Sequence, residues 1–357
     1  MTARAVPVDG TRRARPTSRW RGRLAVRLLG LLSWVLLRLP DRPLHGLAGG
    51  LGRLLYLVQP RRRARVRANL ARVCAWLAAH ELAGPAVAAA ATDPRARERL
   101  VRAAFGHYLR TYLEGLIVER YARPGMGERI RPDDEALLER VLAAARGGPG
   151  GGQHGRARGD DLGRDDPGGD DPGRDGRGRG LIFVGLHFGA IEIPALWTVR
   201  RGVPLTSPME TLDDPDLQAF MLERRSRAGL RLIPTAGAHR ELGERLAAGE
   251  AVAIVGDRPV AGAGARVELF GAPARLPLGP AVLALESGAP AWAVAVRRSG
   301  AGEYRGRLEP IGLPADGTRR ERLAGFLAAE AAAIERLVAA APEQWWTLFF
   351  PIWSDIE

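Results

Sequence analysis

The sequence predicts an α/β fold, a central mostly parallel sheet flanked by helices, preceded by a helical region that lies at a membrane interface. Three observations carry this expectation. Short apolar segments at 181–186, 203–208, 231–233, 251–255 and 291–296 alternate with helical patterns, as parallel strands buried on both faces do. Helix boundaries are signposted by Asp93-Pro94 and Asp214-Pro215 at starts, by Gly229 and Gly249 beyond ends, and by a Thr318/Glu321 capping box. Residues 24–58 are strongly apolar but come in pieces.

At 357 residues and 46% hydrophobic, the chain can bury a sizeable core in one large domain or two. Its net charge is +13, and all 53 basic residues are arginine. The lack of lysine excludes a Walker lysine, a Schiff-base lysine and a Ser-x-x-Lys nucleophile. An arginine surplus suits anionic partners such as phospholipid headgroups, nucleic acid or carrier phosphates. A single cysteine, Cys74, excludes an internal disulfide and a multi-cysteine metal site, and it fits a reducing compartment.

Taken in order, residues 1–19 are polar, arginine-rich and expected to be disordered. In the next stretch, 28–37 is apolar between Arg27 and Arg38, and 44–58 is broken by glycines and Arg53. Neither piece reaches the roughly 20 residues of a spanning helix, and no small-residue cleavage site follows. The reading is a helical region, 20–146, that begins with a helix in the membrane interface, edged by arginines with Trp20 and Trp34 as anchors. A buried apolar helix is the alternative.

The basic run 61–67 opens a helix through Leu77 that either rests on anionic lipid or is a solvated face. The helix from Pro94 should run towards Tyr121 and bury Leu100, Phe105, Tyr108, Leu109 and Tyr112. Glu114, in mid-helix, reads as a surface or packing carboxylate. A further helix starts near Asp133 and ends at Gly147. Residues 147–180, built of Gly, Asp, Arg and Pro, form a low-complexity insert expected to be disordered, so His154 within it is no ligand.

The chemistry is expected in LIFVGLHFGAIEIPAL, residues 181–196. Pro194 marks a helix start, which leaves His187 at a strand end and Glu192 near the first turn, where the helix dipole favours a carboxylate. The His-x-x-x-x-Glu spacing lets Glu192 fold back on the imidazole. A neutral histidine held through one ring nitrogen keeps the other free to take a proton from a hydroxyl. The following helix N-terminus, with Gly185 and Gly189 nearby, can stabilise an oxyanion.

Arg225 shares a helical stripe with Leu217 and Met221, and an inward arginine normally meets an anion or a carboxylate, with Glu210 as a candidate pair. Gly256-Asp257-Arg258 falls at a strand end, where open α/β sheets bind ligands. There Asp257 and Arg258, helped by Arg275, bind a headgroup or phosphates, or Asp257 merely stabilises a turn. Gly262 and Gly264 bend a loop rather than form a phosphate fingerprint. A strand at 267–270, a helix at 278–288 and a last helix with Leu323, Phe326, Leu327, Ile334, Leu337 and Val338 on one stripe complete the elements.

HFGAIE after an apolar strand, the run from Gly256 to Pro290 and the closing PEQWWTLFFPIW occur in the order found in a known family. They resemble the bacterial lysophospholipid/lipid A acyltransferase superfamily, in the group of lauroyl/myristoyl and phosphatidylinositol mannoside acyltransferases with its HX4D/E motif. The resemblance implies a glycerolipid acyltransferase-like core over 181–357. It implies a membrane-associated enzyme that moves a fatty acyl chain from acyl-CoA or acyl carrier protein to a glycolipid hydroxyl.

On that resemblance His187 and Glu192 are catalytic and Glu210 and Arg225 belong to the cleft, while their strand-end position makes Asp257 and Arg258 candidates for substrate binding. No cofactor beyond the acyl donor and no metal is expected. The partners are a membrane lipid acceptor, the donor and an anionic membrane surface at the cytoplasmic face. Glu210, Arg225 and GDRP lean towards the mannoside side, and the tail aromatics line an acyl groove, sit at the interface or pack the core. A non-catalytic lipid-binding protein is the rival. A nucleic-acid binder is disfavoured, because the aromatics lie away from the arginine runs.

Overall fold

The computed structural model describes residues 19–146, 180–259 and 264–356. The tail at 1–19 and the insert at 147–180 therefore lie almost entirely outside the described residues, as does Gly262. Among the described residues there are nine strands, β1 (Ile130–Pro132), β2 (Leu181–Gly189), β3 (Leu205–Met209), β4 (Arg231–Pro234), β5 (Ala251–Val255), β6 (Ala265–Leu269), β7 (Ala272–Leu276), β8 (Ala291–Gly300) and β9 (Glu303–Ile311). Seven of them form one sheet in the order β1-β9-β8-β2-β5-β3-β4, and β6 and β7 form a separate hairpin. Only the β8–β9 pairing in the large sheet is antiparallel.

The expected mostly parallel sheet is thus present, and β2 lies at its centre because both of its faces are apolar. Ile182, Val184, Leu186 and Phe188 join one core cluster, while Leu181 and Phe183 join another on the opposite face. The period of two places successive residues on opposite sides, so an unbroken apolar run is what a doubly covered strand requires.

Five helices precede the core: α1 (Arg19–Leu36), α2 (Asp41–Val58), α3 (Pro60–Ala79), α4 (Pro85–Thr92) and α5 (Pro94–Leu116). The core adds α6 (Glu135–Arg146), α7 (Ile193–Arg200), α8 (Pro215–Arg227), α9 (Ala238–Ala247), α10 (Gly279–Ser287) and α11 (Arg319–Val338). The cap signals act as read: Asp93 accepts from Arg95 N and Ala96 N, Asp214 from Asp216 N and Leu217 N, and Thr318 and Glu321 close a capping box. The α5 helix stops short of Tyr121 and passes into a 3-10 turn at Val118–Ala122.

Strands β1, β7 and β9 were not expected, and β8 runs past Val296 to Gly300. The reason is compositional, since β9 reads EYRGRLEPI and β8 ends in Arg297-Arg298, where charged residues interrupt the apolar pattern.

The apolar stretch 24–58 folds as two helices, not one, with the chain turning at Leu37–Pro40. Leu36, Leu44 and Ala48 pack with Leu113 and Ile117 at the end of α5. A Cβ on Gly52 would lie 2.6 Å from the Gly106 Cα, so this glycine lets the α2 and α5 backbones approach. Outward, α1 exposes Leu24, Leu28, Leu31 and Val35, and α2 exposes Leu47, Leu51, Leu54 and Val58. Each set recurs at the i, i+4, i+7, i+11 spacing of one helix face. Among the described residues no helix is long and apolar enough to cross a membrane.

Glu114, read as a surface or packing residue, is a buried packing residue. It accepts from Arg110 Nε (3.0 Å), Arg298 Nε (3.0 Å) and the Tyr304 hydroxyl (3.4 Å). The two arginines hold its carboxyl below the usual range against the opposing effect of burial. His107 beside them is lowered to about 3, first by burial and then by the charges of Arg298 and its neighbours, so it stays neutral. Arg298 also donates to Thr111 Oγ1 (3.1 Å), and Gln344 bonds both the Arg298 N–H and its carbonyl, tying α5 to β8 and the C-terminal segment.

Glu114→Gln leaves two buried guanidinium groups without their counter-charge. The expected loss is roughly 3–5 kcal/mol of unfolding free energy, read from urea titration. An unchanged midpoint would show that the two arginines do not depend on this carboxylate.

Candidate active site

His187 lies near the C-terminal end of β2, and Asp257 follows β5, the parallel neighbour. Gly185 is in register with Val255, and the Gly256 N–H donates to the Gly185 carbonyl at 2.9 Å. His187 and Asp257 each stand two positions beyond this matched pair, so the sheet register itself brings them together. The His187 Nδ1 lies 2.7 Å from Asp257 Oδ1, and the His187 backbone N–H donates to Oδ2 at 3.1 Å. A carboxylate only accepts, so Nδ1 carries a proton, and in the neutral ring Nε2 then presents a lone pair.

Asp257 is itself held rigidly. Its Oδ2 accepts from Trp345 Nε1 (2.8 Å) and Thr347 Oγ1 (2.7 Å), both from the C-terminal segment. Burial opposes ionisation of Asp257, but the His187 ring and these donors outweigh it and hold the carboxyl below its ordinary value. The imidazole side chain is 19% exposed while the aspartate is 0% exposed. The histidine can therefore meet a substrate, whereas the aspartate cannot.

Glu192 does not fold back on His187, contrary to the expectation from the motif spacing. It occupies the N-cap position of α7, and its carboxylate is bridged by Arg225 Nε at 3.2 and 3.1 Å from its two oxygens, with Arg225 Nη2 also donating. The side chain of Arg225 is 22% exposed and that of Glu192 12%. The inward arginine has found a carboxylate, but Glu192 rather than Glu210, which is exposed and makes no salt bridge among the described residues. The spacing argument failed because the His187 ring turns towards β5 and the Glu192 side chain towards α8.

Arg258 completes one wall. Its Cζ lies 4.4 Å from the Phe350 ring and 5.9 Å from that of Trp346, and the Trp346 ring is 4.7 Å from the His187 ring. Its Nε has no hydrogen-bond partner among the described residues. Arg275 instead donates to the Gly264 carbonyl in the β6–β7 hairpin.

The family model of the bacterial lipid A biosynthesis acyltransferases matches residues 174–353, half of the chain. The chain belongs to that family. It is also similar to the phosphatidylinositol mannoside acyltransferases of Mycobacterium tuberculosis strain H37Rv and of Mycolicibacterium smegmatis. The identity is 32% over 114 residues in the first and 31% over 114 in the second, 31% of this chain in the first case. The matched part spans 36% and 38% of those relatives' own lengths.

In this acyltransferase-family chain, the residues missed by sequence reasoning are those that complete the site from afar. Trp345 and Thr347 were read only as part of an aromatic tail, yet they fix Asp257. Of that tail, Trp345, Phe349 and Trp353 are core residues, whereas Trp346 and Phe350 are half-buried beside His187 and Arg258. The one available signal was the position of PEQWWTLFFPIW as a conspicuous block of the family pattern. Cys74 is no nucleophile, since burial pushes its thiol up to about 11.

Behind Asp257 lies Glu330 of α11, fully buried, with neither carboxyl oxygen hydrogen-bonded among the described residues. A Cβ on Gly256 would lie 2.5 Å from Glu330 Oε1 and 2.4 Å from Val184 Cγ1, so only glycine fits before Asp257. Burial, and then the Asp257 charge, raise the Glu330 carboxyl well above the usual carboxylate range, so it is held as the neutral acid. The folded state then binds a proton that the unfolded chain releases, and stability falls as pH rises from the unfolded towards the folded value. Glu330→Gln removes this loss. Relative to the parent, its unfolding free energy should gain about 1.4 kcal/mol per pH unit across that window, measured by urea titration from about pH 5 upwards. A pH-independent difference would mean that Glu330 is ionised in the fold.

Proposed function

We propose that the chain is a membrane-associated O-acyltransferase that moves a fatty acyl group from an acyl thioester, acyl-CoA or acyl carrier protein, to a hydroxyl of a glycolipid. The observation that carries this reading is the His187–Asp257 pair, with the aspartate buried and the imidazole open at the mouth of the sheet. Nε2 of His187 takes the proton of the acceptor hydroxyl as its oxygen attacks the thioester carbonyl. Asp257 stabilises the imidazolium that forms. Collapse of the tetrahedral intermediate breaks the C–S bond, and the departing thiolate recovers the proton from His187. No serine or cysteine nucleophile is needed.

Glu192 and Arg225 act as a rigid ion pair that shapes the cleft beside this base, and Arg258 offers a cation to the donor phosphates or the acceptor headgroup. The mannoside relatives favour a phosphatidylinositol mannoside-like acceptor over a lipid A-like one. The outward apolar stripes of α1 and α2 fit attachment to the cytoplasmic face of the cell membrane, with no spanning segment required. A purely lipid-binding role would use the same stripes but gives no reason for an aspartate fixed by four donors around an imidazole.

Incubating the purified protein with labelled palmitoyl-CoA and a panel of membrane lipids, followed by mass spectrometry, should yield an acylated glycolipid and free CoA. An intact donor with every lipid, repeated with acyl carrier protein as donor, would end the proposal.

A further inference from the structure

Beside the turn between α1 and α2 lies an open cavity of about 540 Å³ that the acyl-transfer chemistry does not use. Four arginines, Arg38, Arg120, Arg123 and Arg129, line it against two carboxylates, Asp41 and Glu128. Arg120 is mostly buried and builds the turn. It donates to the Leu36 and Leu37 carbonyls at 3.0 and 3.1 Å, to that of Leu39, and to Asp41 at 3.0 Å. Asp41 is also bound by Arg129, so its charge is already matched.

The remaining cations are differently placed. Arg38 lies over the exposed Trp34 ring at 3.4 Å and donates to the Trp34 carbonyl at 2.9 Å, an arrangement that leaves its charge at the surface. Arg123 is exposed and makes no salt bridge among the described residues. The cavity therefore has a net positive charge, on a turn whose geometry is fixed by a buried arginine. That turn joins the two helices whose outward faces are apolar.

We propose that this cavity is a headgroup site for an anionic membrane phospholipid. Arg123 and Arg38 hold its phosphodiester, and its acyl chains lie along the exposed stripes of α1 and α2. Charge complementarity selects a headgroup with net negative charge, and the adjoining apolar faces select a phosphate that carries hydrocarbon over a free one. The site rests on the membrane-surface part of the proposed function and is distinct from acceptor binding at His187. It would seat the enzyme on the bilayer in one orientation.

The test uses the full chain and monomeric dihexanoyl phosphatidylglycerol, with dihexanoyl phosphatidylcholine and inorganic phosphate as comparisons, in calorimetric titration. The phosphatidylglycerol should bind, and the other two should bind much more weakly. Arg123→Glu should weaken its binding by roughly tenfold or more, the factor of one lost charge-assisted hydrogen bond. Arg53→Glu, an equal reversal on exposed α2 outside the cavity, should leave it unchanged. Equal losses in both variants would mean diffuse attraction, and equal binding of inorganic phosphate would mean a simple anion site. Either result overturns the proposal, as does no binding of the lipid. Vesicle sedimentation run in parallel separates the two ideas: binding of the soluble lipid without vesicle binding would sink membrane attachment and leave the cavity as a lipid-phosphate site.

Discussion

His187→Ala should lower kcat/KM for acyl transfer by about 10²–10⁴-fold while leaving the fold intact. The upper part of that range is expected if Nε2 is the only base within reach of the acceptor hydroxyl. Folding should survive because Asp257 keeps the Trp345, Thr347 and backbone donors when the ring is removed, so its charge is not left bare. Circular dichroism and urea titration would confirm the intact fold, and product mass spectrometry would give the rate. Activity within a few fold of the parent would remove His187 from the reaction and with it the proposed mechanism.

Asp257→Asn should be comparably damaging, on the order of 10²–10⁴-fold, and for a different reason. Three donors converge on Oδ2, so the amide of an asparagine there must turn its carbonyl oxygen to that position. Its NH2 group then faces His187 Nδ1, where only an acceptor is tolerated. The ring proton is driven to Nε2, the nitrogen that must accept from the substrate. The matching change in Ser-His-Asp proteases costs about 10⁴ in rate by the same tautomer reversal.

Nitrogen NMR of labelled histidine should show the tautomer switch directly, and kcat should fall with little change in KM. Glu192→Gln should harm the rate less than Asp257→Asn, because Glu192 bonds Arg225 and not the imidazole. The reverse order would restore Glu192 as the ring's partner.

Much of this was legible in the chain itself. The unbroken apolar run of β2 marked the central strand, and the proline of α7 placed His187 at its end. Asp257 was recognised as a strand-end residue with a site role, although the role assigned was substrate binding. Its actual contact needs the register of β2 on β5, a pairing between segments some seventy residues apart that no local pattern encodes. The Glu192 reading failed for the same kind of reason. Spacing along one segment constrains which side chains are near each other, but a guanidinium arriving from α8 competes for the carboxylate and wins by bidentate geometry. Strand β9, which lies between β1 and β8, was invisible because charged residues alternate along it and break the apolar pattern.

The sequence by itself determined the class of fold and the helix caps and singled out His187, since each depends on propensity, periodicity or a short motif. The tertiary structure alone decided which carboxylate holds that histidine, why Trp345 and Thr347 matter, and that Glu330 and Glu114 are buried. These depend on through-space contact and on the loss of solvent around charge, which the order of residues along a chain does not specify until the sheet has closed.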